Sequence, residues 1–308
     1  MTNDDTTSWL QTKSLPYIGL GIGILSLGMS AIFVRWADAP GPVTGFYRLF
    51  LSTIFLTPFF LRRSSRNKNA IDKKTLIFPI LGGILLALDL AFWSTSVFYT
   101  SAANSTLLGN TAPLWVSLGA WLIFREKLTG NFWFGLVLAM AGAVLIVGSD
   151  FFIHPRLGIG DLMAAAAGVF YGGYYLATQR GRQHFDPISY VWLMGVFASI
   201  SLALINLGLG HPLGGYSRNT WLVFAATALV SQIIGYISIS YSMGHLPASV
   251  VAPTMIGQPI MTTILAIPLL GEIPRPIQLL GGAIALTGIY LVNRAYQQKL
   301  DKPDHRID

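Results

Sequence analysis

The 308-residue chain is 53% hydrophobic and only 11% charged, whereas a soluble domain carries roughly 25% charged residues, so there is too little polar surface to solvate a globule of this size. It has no cysteine, which excludes disulfides, thiolate metal sites and cysteine nucleophiles. The formal net charge of +7 points to membrane topology rather than nucleic acid, because cytoplasmic loops of membrane proteins concentrate Lys and Arg.

The N-terminal tail, residues 1–16, is polar and acidic and lacks a signal-peptide pattern, so the first apolar segment is expected to remain as a membrane helix. Apolar runs near the ~20 residues needed to cross a bilayer core then recur to the end of the chain. They predict an all-α membrane protein with ten transmembrane helices, at 17–35, 43–61, 76–98, 102–124, 131–149, 158–179, 187–208, 219–243, 248–270 and 276–296. The connections are short and rich in turn formers: Ala39-Pro40-Gly41-Pro42, Asp186-Pro187, His211 to Gly215, and Pro274-Arg275-Pro276. A polar tail, 297–308, follows. Of the 20 Lys and Arg, 15 fall on the side of the N-terminus, six of them in the basic run Arg62 to Lys74. Arg35, Arg156, Arg218 and Arg275 fall on the other side, and Arg48 lies within a span. Both termini are therefore expected to be cytoplasmic, in the plasma (cell inner) membrane.

The chain repeats itself at an offset of 146 residues. Glu126 falls on Glu272, Ala102 on Ala248, Pro113 on Pro259, Gly135 on Gly281, Gly142 on Gly288 and Leu145 on Leu291, without gaps. The units are 17–149 and 158–296. Each holds five spans, and an odd number inserts the second copy upside down: a 5+5 inverted-topology repeat. Many secondary transporters are built this way, with substrate near the midplane between the halves.

These residues carry a resemblance. Thr100-Ser101-Ala102-Ala103, Ala112-Pro113, Arg125-Glu126-Lys127 and the spaced Gly135 and Gly142 are similar to the drug/metabolite transporter superfamily, in its EamA-like branch. Pro259, Gly271-Glu272, Gly281-Gly282 and Gly288 repeat the pattern, and Phe46-Tyr47-Arg48 resembles the start of that family's second helix. The resemblance implies ten helices, the 5+5 inverted repeat, and export of small metabolites such as amino acids or their analogues.

Asp89 is the sharpest single signal. A carboxylate near the middle of a span costs about 2.5–3.5 kcal/mol, so it must face a cavity or a partner. It suits a proton carrier or a counter-ion for a substrate ammonium; a plain hydrogen bond to a neighbouring helix is the structural alternative. Trp93, four residues on, shares its helical face. Arg48 reads either as a headgroup anchor or as a gating or carboxylate-binding group. Span 4 aligns Ala103, Thr106, Asn110 and Pro113 on one face, and span 9 offers Thr254 and Gln258. Pro113 and Pro259 are expected to kink their helices. Tyr171 with Tyr175, and Gln232 with Tyr236, are spaced four apart and suit a cavity for an amphipathic metabolite. Gly168 and Gly172 permit close helix approach. Tyr17, Trp36, Tyr190 and Trp221 read as interfacial belt residues. Glu126 and Glu272 are expected to cap the helices that follow them. His154, His184, His211, His245 and His305 show no metal-ligand spacing, so neither metal nor cofactor is implied.

The resulting expectation is a secondary transporter that exports small metabolites by alternating access, coupled to protons through Asp89. Spans 1, 3, 4, 6, 8 and 9 would line the cavity while 5 and 10 brace it. Its partners are the bilayer, a small-molecule substrate and protons; a monomer or weak homodimer suffices. Two other classes stay open. An intramembrane enzyme on lipid-linked substrates would need an acidic or histidine cluster at one membrane face. A flippase or scaffold subunit would need a partner chain.

Overall fold

The computed structural model describes residues 3–66, 72–96, 99–100, 102–147, 158–271 and 273–300. Ser101, Glu272, Lys68, His154, Arg156, Lys302, His305 and Arg306, named above, lie outside them. A lipid-facing backbone has no water to bond with, so helices close their own hydrogen bonds; no strand occurs among the described residues. The helices are α1 (Asn3–Trp36), α2 (Gly41–Arg66), α3 (Ile77–Ser96), α4 (Ala102–Gly109), α5 (Ala112–Leu122), α6 (Gly130–Val147), α7 (Ile159–Gly181), α8 (Pro187–Gly208), α9 (Arg218–Ala226), α10 (Tyr236–Met243), α11 (Ala248–Thr254), α12 (Gly257–Leu270) and α13 (Pro276–Leu300). A π-helical segment, Thr227–Gly235, joins α9 to α10.

Seven stretches are long and apolar enough to cross a membrane: Ser14–Trp36, Gly41–Arg63, Ile77–Ser96, Pro187–Gly208, Arg218–Met243, Ala248–Leu270 and Pro276–Leu300. Two shorter apolar helices, Ala112–Leu122 and Gly130–Ile146, accompany them. Leu122, Val137, Leu162, Leu204 and Leu279 are exposed on the outside of the bundle. A water-soluble monomer rarely exposes apolar surface so widely, and a bilayer covers it.

Local chemistry fixes the helix ends. Asp186 caps α8, accepting from Ile188 N at 3.1 Å and Ser189 N at 3.3 Å, with Pro187 in the first turn. Ser217 caps α9 through Thr220 N at 3.2 Å. Arg125 ends the turn after α5 in the left-handed region, φ 55°, and 146 residues on Gly271 ends α12 at φ 68°. The α6–α13 pairing uses equivalent glycines from the two segments. A Cβ on Gly142 would collide with the backbone of Ala285 and Gly281, and one on Gly288 with that of Ala139 and Gly135. Such small-residue stripes allow backbones to touch where lipid supplies no hydrophobic drive for association.

Spans 4 and 9 are both broken within their N-terminal halves. Span 4 stops at Gly109 and restarts at Ala112; span 9 stops at Thr254 and restarts at Gly257. Pro113 lies in the first turn of α5, and Pro259 is the third residue of α12. A first-turn proline forfeits no intrahelical bond. The prolines thus sit in the restart of the second half-helix, rather than bending a continuous one. The aromatic core is at the centre, where Tyr174, Tyr175 and Tyr190 are almost fully buried. Tyr190, expected at an interface, instead donates to Thr178 Oγ1 at 3.1 Å inside the bundle, because Gly82 and Gly181 leave room for its ring.

Candidate functional site

A cavity of about 490 Å³ lies within the bundle, inside the roughly 300–1,000 Å³ range of small-molecule pockets. Of the sequence-predicted residues, it brings together Arg48, Asp89, Trp93, Asn110, Tyr171, Tyr236, Gln258 and Pro259. Tyr175, Gln232 and Pro113 do not line it.

α3 brings Asp89 to the cavity wall with Trp93 one turn on, and the Trp93 ring packs over Gly109 at the break of span 4. Asp89 makes no hydrogen bond or ion pair among the described residues. α2 brings in Arg48, which is buried and faces the cavity rather than the headgroups. Its Nη1 donates to Ser30 Oγ at 3.2 Å and its Nη2 to the Tyr236 hydroxyl at 3.4 Å. Its guanidinium also lies 5.5 Å from the Tyr236 ring centre. Its Nε has no partner among the described residues. The cavity therefore holds a guanidinium and a carboxyl group that interact through space but form no direct salt bridge. Buried charges are normally paired or hydrogen-bonded to satisfaction, and here the two groups are left with capacity for further partners.

The broken spans supply the polar surface between these charges. Asn110 sits in the break of span 4 and lines the cavity, its backbone N–H donating to Thr106 O at 3.0 Å. Gln258, in the first turn of α12, donates from Nε2 to Leu27 O at 3.3 Å. Neither restart, α5 or α12, has a side-chain cap; Leu114 N and Gln258 N donate to the backbone of the preceding turn, and the helix N-termini are positive dipole ends. Gly168 lets α7 approach this break, since a Cβ there would lie 2.8 Å from Leu108 O.

Tyr171 and Tyr236 bound the cavity, and the other tyrosines lie behind them. Tyr175 donates to the Tyr171 hydroxyl at 3.3 Å, and the Tyr174 ring is 5.6 Å from Tyr171 and 5.8 Å from Tyr236. Tyr175 therefore supports Tyr171 instead of lining the cavity beside it. Gln232 is displaced for another reason. The α-helical spacing placed it on the Tyr236 face, but the intervening segment is π-helical, and the wider turn changes which residues share a face.

Arg35, Ser94, Ile146 and Gln278 lie at the helix ends away from the N-terminus, and all four line the cavity. It thus extends toward that end, and α2 contributes to its wall as fully as the spans expected there. Toward the Lys/Arg-rich end, side-chain hydrogen bonds tie the elements together. Glu126 Oε2 accepts from Ser249 Oγ at 2.5 Å, and Oε1 accepts from Gln179 Nε2 at 3.3 Å. Gln179 Oε1 in turn accepts from Ala248 N at 2.8 Å. Glu126, expected to cap α6, instead ties α5 to α7 and α11. Thr129 serves α6, accepting from Phe132 N at 3.3 Å. On the same end Arg63 pairs with Asp186 at 3.3 Å, and Arg182, its charge disfavoured by burial, donates to Ser240 O at 2.6 Å.

Sequence reasoning missed the cavity's hydroxyls: Ser30, Thr44, Thr227, Thr262 and Thr263. Hydroxyls in apolar helices usually bond back to a carbonyl one turn earlier, and Thr227 and Thr263 do so here, so nothing in their spacing sets them apart. Among the described residues, no group of three His, Asp or Glu could hold a metal.

The chain is similar to an uncharacterized transporter of Archaeoglobus fulgidus, 25% identical over 82% of this chain and 88% of that one. It is also similar to a probable terminal-alkyne amino-acid exporter of Streptantibioticus cattleyicolor, 25% identical over 64% of this chain and 65% of that one. An uncharacterized transporter of Helicobacter pylori is 25% identical over 74% and 78% of the two chains. A crystal structure with 17% identity shares the fold, with a TM-score of 0.75 over 91% of this chain and 98% of the other. The family model of the EamA-like transporter family matches residues 15–148 and, separately, residues 158–294. Those two segments account for most of the sequence, and the chain belongs to the EamA-like transporter family, within the drug/metabolite transporter superfamily.

Proposed function

We propose that the chain is a secondary transporter that exports amino acids or close analogues across the plasma membrane by alternating access. The observation that carries this reading is the presence of Arg48 and Asp89 on one cavity with no direct salt bridge between them. A zwitterion satisfies both at once: its carboxylate meets Arg48, with the half-helix N-termini adding to the attraction, and its ammonium meets Asp89. Trp93, Tyr171 and Tyr236 offer an aromatic surface to an apolar side chain. The printed name of the Streptantibioticus relative supports the amino-acid class.

The two family matches, the recurring left-handed turn at Arg125 and Gly271, and the reciprocal glycines of α6 and α13 support two related halves, 17–149 and 158–296, inserted in opposite senses. The charge distribution supports cytoplasmic termini. In that frame the cavity opens outward and the Glu126 cluster closes the cytoplasmic side. Release of the ammonium frees Asp89 to take a proton for the return step.

The test is flux in liposomes containing the purified chain and labelled aromatic and aliphatic amino acids, with and without a pH gradient. Saturable flux accelerated by the gradient is expected, and Asp89→Asn abolishes the acceleration. No saturable flux for the whole panel refutes the amino-acid reading. Wild-type flux and pH dependence in Asp89→Asn refute the coupling role.

A further inference from the structure

Gln232 is fully buried, and neither its amide nitrogen nor its amide oxygen has a hydrogen-bond partner among the described residues. A stranded buried amide is costly, and none of the cavity chemistry above uses it. Gln232 also lies in the π-helical stretch Thr227–Gly235, against α1 and α2. Both flanks of that stretch reach the cavity: Thr227 at its start and Tyr236 immediately after its end. Gln232, between them, does not. π-helical turns are rare and mark functional positions more often than chance allows. Across the α2 contact a second buried group lacks a partner, the Nε donor of Arg48. That donor and the Gln232 oxygen are complementary, both buried, and borne by elements in contact.

We propose that Gln232 is a positioning residue that makes its hydrogen bonds only in the opposite, inward-open state. There the wide turn tightens to α-helix, which returns Gln232 to the Tyr236 face. Its Oε1 accepts from Arg48 Nε, and its Nε2 turns to the cavity. The two states then differ in hydrogen bonding at the group that grips the carboxylate. Arg48 is held by Ser30 and Tyr236 in the present state and gains Gln232 in the other. Differential contacts of this kind are what an alternating equilibrium needs. The inference rests on the transport reading of the same cavity.

Gln232→Met tests it, because methionine keeps the unbranched shape and removes both polar atoms. The chain has no cysteine, so a single reporter, Ala31→Cys on the cavity wall, reads the outward-open state by its labelling rate with a polar maleimide. In this background Gln232→Met is expected to raise the melting temperature and speed labelling. Amino-acid exchange in liposomes is expected to slow about tenfold, the size of one lost buried hydrogen bond. A flux within twofold of the parent overturns the proposal. So does lost flux with a lowered melting temperature and unchanged labelling, which would make Gln232 a structural residue only. If the parent carries no amino acid but labelling still responds to Gln232→Met, the transport reading fails and the switch stands. If labelling does not respond, the switch falls whatever the flux.

Discussion

Replacing Arg48 by methionine should split the binding of a zwitterion into its two charges. Arg48 is 7% exposed, and its contacts to Ser30 and Tyr236 leave the cavity-facing side of the guanidinium for a ligand. Removing one partner of a buried, hydrogen-bonded charge pair costs about 2–5 kcal/mol. Taking the lower bound, at 1.4 kcal/mol per factor of ten, phenylalanine should bind about 30-fold more weakly to Arg48→Met. Phenethylamine, which keeps the ammonium and lacks the carboxylate, should lose less than about threefold, since nothing it binds has been removed. Asp89→Asn should reverse the pattern, hurting phenethylamine and phenylalanine while sparing 3-phenylpropionate. Arg48→Lys should fall between, because an ammonium keeps the charge but not the planar fork. Isothermal titration of the purified protein with the three ligands reads all of these. Equal losses for phenylalanine and phenethylamine in Arg48→Met would show that Arg48 only holds α2 against Ser30 and Tyr236. The zwitterion argument would then be refuted.

Two further perturbations address the gate and the frame. Glu126→Gln removes the charge from the bonds to Ser249 and Gln179, each charge-assisted contact being worth about 1.5–3 kcal/mol; the cytoplasmic side should open more often, and a cysteine at Val250 should label at least about fivefold faster. Unchanged labelling would mean that the cluster does not hold that side closed. Gly142→Val forces a side chain into the backbone of Ala285 and Gly281, where overpacking costs about 1–3 kcal/mol. The melting temperature should fall while the Kd of the surviving folded fraction stays unchanged, and a wild-type melting temperature would refute the tight α6–α13 contact.

The fold was legible because the membrane leaves few choices. Apolar runs of bilayer length must be helices, and the 146-residue register matches Gly135 with Gly281 and Gly142 with Gly288, the glycines through which α6 and α13 pack. Asp89 stood out for the same reason: a carboxylate within a span is expensive and needs a cavity or a partner, whereas Arg48 near a span end read equally well as a headgroup anchor. The details that failed are those that depend on backbone irregularity. Spacing by four assumed an unbroken α-helix, and span 8 carries a π-helical stretch through Gln232, which moved that residue out of the wall. The same assumption made Pro113 and Pro259 kinks, whereas both lie in helix restarts. Glu126 was assigned to the nearest helix in sequence because its true partners, Gln179 and Ser249, are 53 and 123 residues away, a distance that local pattern does not encode.

These irregularities are concentrated on one side of the molecule's division of labour. α6 and α13 are unbroken, pack through backbone-to-backbone glycine contacts, and touch the cavity only through Ile146 and Gln278. The broken spans 4 and 9 and the wide turn of span 8 all border it. A transport cycle needs elements with two packings of similar free energy, and a regular helix bonded throughout offers only one. Breaks and wide turns leave backbone and side-chain groups whose partners are exchangeable, as the unpaired Gln232 amide and Arg48 Nε illustrate. In the proposed cycle the α6–α13 pair would supply the fixed reference against which the broken helices move. Stiffening a break, rather than loosening the brace, is accordingly the change that should stop transport while raising stability.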